Sequence, residues 1–495
     1  MRADISVVGT EYARLGASRA GTSGYWLRTL VVAAGFCWSV AFVAVGLGYE
    51  LQLFGDGSIF SYSVAVEEGW SFHWHNIADR LFVYLFAHVP AETYVHLTKD
   101  AHGGILIYGL LFFASQLFGL IATSVADRSE GRIIFVFACL SVACLCPLVF
   151  GFPTEMWLAH AVFWPTLAVC HYAHRSIGGF ACVLVALFAL VFTYDGAPIL
   201  AAAILATLLL RGVRDAAFAR AAGAFLIVMP TSAIVRAAFP PDDYFVNALV
   251  SAALHFFDPT VLTDDLILLL LGGLGSYGIA FLVLQHRTPK AHIYAASTVV
   301  VALAVYWLRF DYALHAADRY YLRTVLLVVI PVLGVLAVVY ALGANNRVPR
   351  RAALLQRPLS ALTADVTARA LAGALLLVMS VHAVETAKFV TVWRDYVGAV
   401  RALAMSTASD PWLGDARFVS SSRIGIDLNR VSWSSATPFL SVLVTPKFAP
   451  THLVVDPDAG YFWLSCETAT RSLNADRAIP AESRRLVHIY SCLHR

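Results

Sequence analysis

Long apolar runs separated by short polar connections dominate the chain. Segments near 28–49, 103–125, 133–151, 156–173, 177–194, 196–211, 218–239, 265–285, 291–309, 322–342 and 367–390 are nearly free of charge. An α-helix needs roughly 17 to 25 apolar residues to cross a bilayer, so the pattern predicts about eleven spanning helices. Strands are excluded, because the runs lack the alternation of a barrel and lipid-facing backbone must be hydrogen-bonded within its own segment. The expected fold class is an all-α polytopic membrane protein.

The connections alternate in character. Arg2, Arg14, Arg19 and Arg28 precede the first run, and Arg128 and Arg132 follow the second. Arg175, then Arg211, Arg214 and Arg220, then Arg287 and Lys290, then Arg347, Arg350, Arg351 and Arg357 occupy every second connection thereafter. The intervening connections carry Asp, Glu and His instead. The excess of Arg and Lys on one side marks that side, with the N-terminal tail 1–27, as cytoplasmic, and an odd number of spans puts residues 391–495 outside. The first run is too long for a signal-peptide core and reads as a retained anchor.

Residues 391–495 differ from the transmembrane part, 28–390. "DPWLGDARFVSSSRIGIDLNRVSW" and "THLVVDPDAGYFWLSC" join turn residues to short β-prone runs, which predicts a small extracytoplasmic α/β domain, periplasmic in a Gram-negative cell. The loop 50–102 is also more than a connection. Within it, "ADRLFVYLFAHVP" sets Leu81, Val83, Tyr84, Phe86 and Ala87 in an apolar band broken by Arg80 and His88, as in a helix lying in the membrane interface.

Composition agrees with this picture. The 495 residues are 59% hydrophobic and 14% charged, with a mean hydropathy of +0.71, far above a soluble globular average. A net charge of +3, spread over short clusters, gives no nucleic-acid-binding patch. Cys37, Cys139, Cys144, Cys146, Cys170 and Cys182 lie in apolar runs without metal or redox spacing and read as buried thiols. Cys466 and Cys492 lie in the polar tail and are open to a disulfide if that tail is outside the cytoplasm.

Candidate chemistry gathers in the non-arginine connections. The loop 50–102 carries Asp56, Glu67, Glu68, His73, His75, Asp79, Glu92, His96, Asp100 and His102. Later connections add Glu155, Asp195, Arg236, Asp242, Asp243, His255, Asp258, Asp264, Asp265, Asp311, His315, Asp318 and Arg319. Ionisable groups at a membrane edge tend to mark substrate or ion paths. Three short stretches stand out: "FGDGSIFSY" with Asp56, "GFPTEMWLAH" with Glu155 opening a helix, and "DRYYLRTVLLVVIPVLG" with Arg319 and Tyr320.

This arrangement resembles the transmembrane glycosyltransferases of the GT-C superfamily, such as the protein O-mannosyltransferases and the aminoarabinose transferase. In them a first span leads into a long outer loop that opens on an acidic residue and continues through membrane-parallel helices. The resemblance implies a polyprenyl-phosphate-linked sugar donor, with Asp56 at the position of that acidic residue and Glu155 where a second carboxylate or metal contact stands. It also places Arg319 and Tyr320 in an "RY…P" pattern. Asp56 is followed by Gly57 rather than by a second acid, and Arg323 stands where a proline is common. A divalent metal ion, Mg or Mn, is optional in the superfamily; Asp56 and Glu155 would be its ligands.

The chemistry argues for the same residue types. Transfer of a sugar to a hydroxyl or amine needs a carboxylate to accept the nucleophile's proton, and Asp56 is the candidate base. Charge on the departing phosphate is best met by a guanidinium, from Arg319 first and Arg236 or Arg323 next. Asp195 in "TYDGAP" and His255 are further candidates for substrate contact. Simpler readings stand beside these. Asp56-Gly57 and Asp195-Gly196 are turn pairs, Glu155 suits a helix N-terminus, and Arg319 has Asp318 and Asp311 nearby. His73-Trp74-His75 reads as an interfacial anchor rather than a metal pair. A transporter or flippase is the alternative from another class; Pro165, Pro230 and Gly272-Gly273 interrupt spans, but no internal symmetry accompanies them.

Overall fold

The computed structural model describes residues 5–67, 69–72, 78–145, 155–239, 250, 254, 265–309, 319–344, 365–407, 410, 417–425, 431–432 and 436–456; within them the side chains of 5–24, 71–72, 79, 265, 309, 319–325 and 343–344 are not described. The described chain is helical apart from one pair of three-residue strands.

Each of the eleven apolar runs contains a helix. These are α1 (Ile5–Gly48), α4 (Ala101–Ala126), α5 (Ile133–Leu145), α6 (Glu155–Tyr172), α7 (Ile177–Val191), α8 (Ala197–Leu209), α9 (Ala216–Ala238), α10 (Asp265–Leu284), α11 (Ala291–Arg309), α12 (Arg319–Ala344) and α13 (Asp365–Ala404). Six of them, α1, α4, α9, α10, α11 and α13, hold stretches long and apolar enough to cross a membrane. The first long loop adds α2 (Asp56–Ala65), α3 (Val89–Thr98) and single helical turns at Gly69–Phe72 and Leu81–Val83, and one short helix, α14 (Thr437–Leu443), lies near the C-terminus.

Helix starts follow local chemistry. The side chains of Asp100, Ser176 and Asp215 accept hydrogen bonds from the backbone N–H of Gly103, Gly179 and Ala217 and cap α4, α7 and α9. Small residues bring helices together: a Cβ at Gly119 of α4 would stand 2.4 Å from the Ala161 carbonyl of α6. Inside the bundle a polar chain is satisfied side chain to side chain. His160 lies 2.6 Å from Ser141 Oγ and 3.0 Å from Gln116 Oε1, and Gln116 Nε2 donates to the Trp157 carbonyl at 2.8 Å.

The bundle has two chemically distinct ends. At the C-terminal end of α6, Arg211 donates to the His171 carbonyl at 2.8 Å and pairs with Asp215 at 3.2 Å, while Arg220 donates to the carbonyls of Ala173 and His174. These cations complement the helix's carbonyl end. Glu155 opens the other end of the same helix. The sorting of charge along the sequence thus becomes a sorting in space, with an arginine-rich end and an acidic end.

Most helices share one core, while α10 and α11 form a second apolar cluster with Leu377 and Val381 of α13. Helix α13 has 40 residues, about 60 Å of helix where a hydrocarbon core is about 30 Å thick. It runs unbroken through 390 and 391, where the sequence changes character, because Phe389, Trp393, Tyr396 and Val400 keep an apolar stripe buried at helical spacing. Its last turns carry the C-terminal segment. Tyr396 Oη lies 3.0 Å from Thr437 Oγ1, and Arg401 Nε donates to the Val444 carbonyl at 2.7 Å. Strand β1 (Phe418–Ser420) pairs in parallel with β2 (Leu453–Val455), Phe418 opposite Leu453. Cys466 and Cys492 lie outside the described residues.

Candidate functional site

The first long loop is folded onto the acidic end of the bundle. Gly55 has φ 54° and ψ −132°, a left-handed conformation that favours glycine, so the chain turns there and Asp56 becomes the first residue of α2. The turn is made before Asp56 rather than by an Asp56-Gly57 pair. Gly57 lies inside the helix, where a Cβ would stand 2.4 Å from the Gln52 carbonyl.

Two parts of the chain, α13 and the C-terminal segment, pack on the residues that flank Asp56. Phe54 packs against Phe389 and Trp393 of α13 at ring distances of 5.1 and 5.0 Å, and Trp393 Nε1 donates to the Tyr49 carbonyl. Ser58 Oγ reaches both the Gly55 carbonyl and, at 3.2 Å, the Ala436 carbonyl of the C-terminal segment. Tyr62 meets Phe439 of α14. Asp56 itself is half-buried. Both it and Glu155 lie close enough to the buried phenol of Tyr108 on α4 to act on it electrostatically.

The centre of the acidic end is an ion triad. Arg80 Nη1 stands 2.7 Å from Glu155 Oε1, and Nη2 stands 3.2 Å from Asp195 Oδ2. The three side chains are only 16%, 7% and 7% exposed. Burial works against the charged guanidinium, but the Glu155 and Asp195 carboxylates outweigh it and hold Arg80 above its ordinary range. The next residues bind the loop down as well: Phe82 N–H donates to the Phe192 carbonyl at 3.0 Å, at the end of α7.

The expected amphipathic stretch is helical and contains one wide turn. A π-turn over Tyr84–His88 leads into α3, whose second residue, Pro90, has no N–H to give. Val83, Ala87, Ala91 and Val95, four residues apart, bury one face against Tyr108, Phe112 and Leu158. His88 lies in this face, 5.1 Å from the Tyr108 ring and 5.8 Å from Phe60. Burial pushes its imidazole down to about 3, so it is neutral at ordinary pH and a poor proton acceptor.

Beside the triad, Trp70 packs edge-on against Tyr84 and Phe239. Burial, then the neighbouring Glu92 carboxylate, to which it donates, push the Tyr84 phenol up. Glu92 also accepts from the Gly69 N–H at 2.5 Å. Arg236 is half-buried in the last turn of α9, a helix that packs against residues 78–80 and whose following residue, Phe239, meets Trp70. The pairs of Glu67 with His96 at 2.8 Å and with Lys99 at 3.6 Å have largely exposed cations and stabilise little.

Four of the expected site residues, Asp56, Glu155, Asp195 and Arg236, therefore stand at or beside the acidic end. Arg319 and Tyr320 form the first turn of α12, and their side chains are not described. His255, His73 and His75 lie outside the described residues. Arg80 was expected only as a break in an apolar band and Tyr108 only as part of a span. The signal for Arg80 was its sign, since it and Lys99 are the only Arg or Lys between 50 and 102. Among the described residues no three Asp, Glu, His or Cys side chains converge as metal ligands.

No protein-family model matches the chain, and no curated protein matches it. Function must be read from the chain's own chemistry.

Proposed function

We propose that the chain is a glycosyltransferase of GT-C type, with eleven spans, that moves a sugar from a polyprenyl-phosphate donor to a lipid, glycan or protein acceptor at the outer face of the inner membrane. The observation that carries this reading is the joining of Glu155 and Asp195 by Arg80, with Asp56 and Glu155 both acting on the Tyr108 phenol, at the end of the bundle opposite its arginine-rich connections. Asp56 would accept the acceptor's proton. Arg236, and Arg319 from the start of α12, would meet the donor phosphate. The segment carried by α13 would shape the acceptor side, because it packs directly on α2.

The experiment is lipid and glycan analysis of cells lacking the protein. Loss of a glycolipid or glycan, restored by the wild-type chain, supports the reading. Unchanged glycans with altered uptake of a solute overturn it in favour of a transporter. Buried polar groups favour that second reading to a degree: the Ser141–His160–Gln116 chain, and Glu385 on α13, which pairs with Lys388 at 3.2 Å. They are satisfied by one another, which is also what packing between helices requires.

The proposed orientation has the N-terminus cytoplasmic and the α13-borne segment outside, with the tail cysteines 466 and 492 in an oxidising compartment. A cysteine at exposed position Ala449 is expected to react with a membrane-impermeant maleimide without permeabilisation of the inner membrane, and one at exposed Lys290 only after it. The reverse pattern would invert the topology.

A further inference from the structure

Glu155 and Asp195 come from different elements, the start of α6 and the turn between α7 and α8, yet they share one shielded place. Two carboxylates there would repel each other without a cation between them. Arg80 supplies it, with one guanidinium nitrogen on each: Nη1 to Glu155 at 2.7 Å and Nη2 to Asp195 at 3.2 Å. The planar fork of a guanidinium suits two oxygen acceptors held in fixed directions.

The GT-C resemblance leaves room for Mg or Mn, and the donor set can be tested against that. Such an ion takes oxygen ligands at close to octahedral geometry, commonly one or two carboxylates with water and substrate phosphate. Here the two carboxylates already face a fixed positive charge. No third Asp, Glu, His or Cys among the described residues joins them. The residues present do not fit a metal ion.

We propose that Arg80 is the resident cation of this site, a positioning residue that holds Glu155 and Asp195 in register and takes the place a divalent metal would fill. The purpose of that register rests on the glycosyltransferase reading; the identity of the cation does not. A guanidinium on the chain is installed when the first loop packs onto the bundle, and it does not exchange with solvent. The site is then complete whatever the supply of divalent ions.

The test uses the purified full-length chain in detergent, without any sugar donor, and Mn(II) alone as the probe. Electron paramagnetic resonance reads free Mn(II), and thermal unfolding is followed with Mn(II) and with a chelator. Wild type is expected to leave the free-ion signal undiminished and its unfolding midpoint unmoved. Arg80→Ala, with two uncompensated carboxylates, is expected to bind one equivalent at about 0.1–1 mM and to be stabilised by it. Adding Asp195→Asn should remove both effects. Arg80→Lys keeps a cation in place and should stay blind to Mn(II).

Binding of one equivalent by the wild type, lost in Glu155→Gln, would overturn the proposal, as would a folded Arg80→Ala that ignores Mn(II). If Arg80→Ala does not fold, the wild-type and Arg80→Lys titrations decide. Because no sugar enters the assay, failure of the glycosyltransferase reading leaves this result standing. A metal-binding wild type would remove Arg80 from its role without touching sugar transfer.

Discussion

Asp56→Asn is expected to lower sugar transfer by about 10²–10⁴-fold, the usual contribution of a positioned general base, with the donor's KM and the thermal unfolding midpoint little changed. Asparagine keeps the size and most hydrogen-bonding capacity of aspartate but cannot take the acceptor's proton. The carboxylate's favourable position at the start of α2 is worth only about 0.3–1 kcal/mol when exposed, so stability is a poor place to look for the effect. The surroundings support the choice of base. His88, buried among the same aromatic rings, is held neutral with its pKa at about 3, and Glu155 is committed to Arg80. Asp56 stands at a half-buried helix start, close enough to the Tyr108 phenol to act on it. Transfer assays with purified protein and a polyprenyl-phosphate sugar would check this, and wild-type turnover by Asp56→Asn would end the assignment.

The helices were legible because the constraint that creates them is local. Every apolar run must satisfy its own backbone hydrogen bonds, whatever its neighbours do, so each of the eleven runs became a helix. Length was less legible. Helices α7 and α8 have 15 and 13 residues, short of a full crossing, and the apolar composition on which the count rested does not mark where a helix stops. The end of α13 was missed for a related reason. Its sequence turns polar after 390, but one face stays apolar and is covered by the C-terminal segment. Average hydropathy registers the loss of lipid contact and not the gain of a protein partner.

The site was legible as a set of carboxylates and illegible as an arrangement. Asp56, Glu155 and Asp195 drew attention because charge is costly at a membrane edge. Arg80 lies 75 and 115 positions from its two partners, and no spacing rule spans such separations. The same holds for Ser58 and the Ala436 carbonyl, 378 positions apart. At Asp56 only backbone geometry distinguishes Gly55, which makes the turn, from Gly57, which lies inside the helix. What the sequence did hold was an arginine on the side where the charge rule places few. Such an exception requires a partner, and here it has two.

Removing that arginine is expected to have the largest effect on folding. Breaking a buried ion pair from one side costs about 3–5 kcal/mol, because the partner charges stay buried without compensation, and Arg80→Ala strands two carboxylates at once. The loss should also free the loop, since Arg80 and the Phe82 N–H bond to the Phe192 carbonyl are neighbouring ties between it and the bundle. Thermal unfolding in detergent would measure it, with limited proteolysis of the first loop as a local readout. Arg80→Met combined with Glu155→Gln and Asp195→Asn should recover much of the stability, because no charge is then left uncompensated. The sign of the arginine's own pH dependence follows from its surroundings. The folded-state pKa of Arg80 lies above its unfolded value, so its contribution is complete at every pH below the unfolded value and is lost only as pH rises through the folded one. No alkaline loss of stability from this group is therefore expected in the working range. A triple variant no more stable than Arg80→Ala would show that stranded charge is not what the substitution costs, and the loop would have to be held by its apolar face alone.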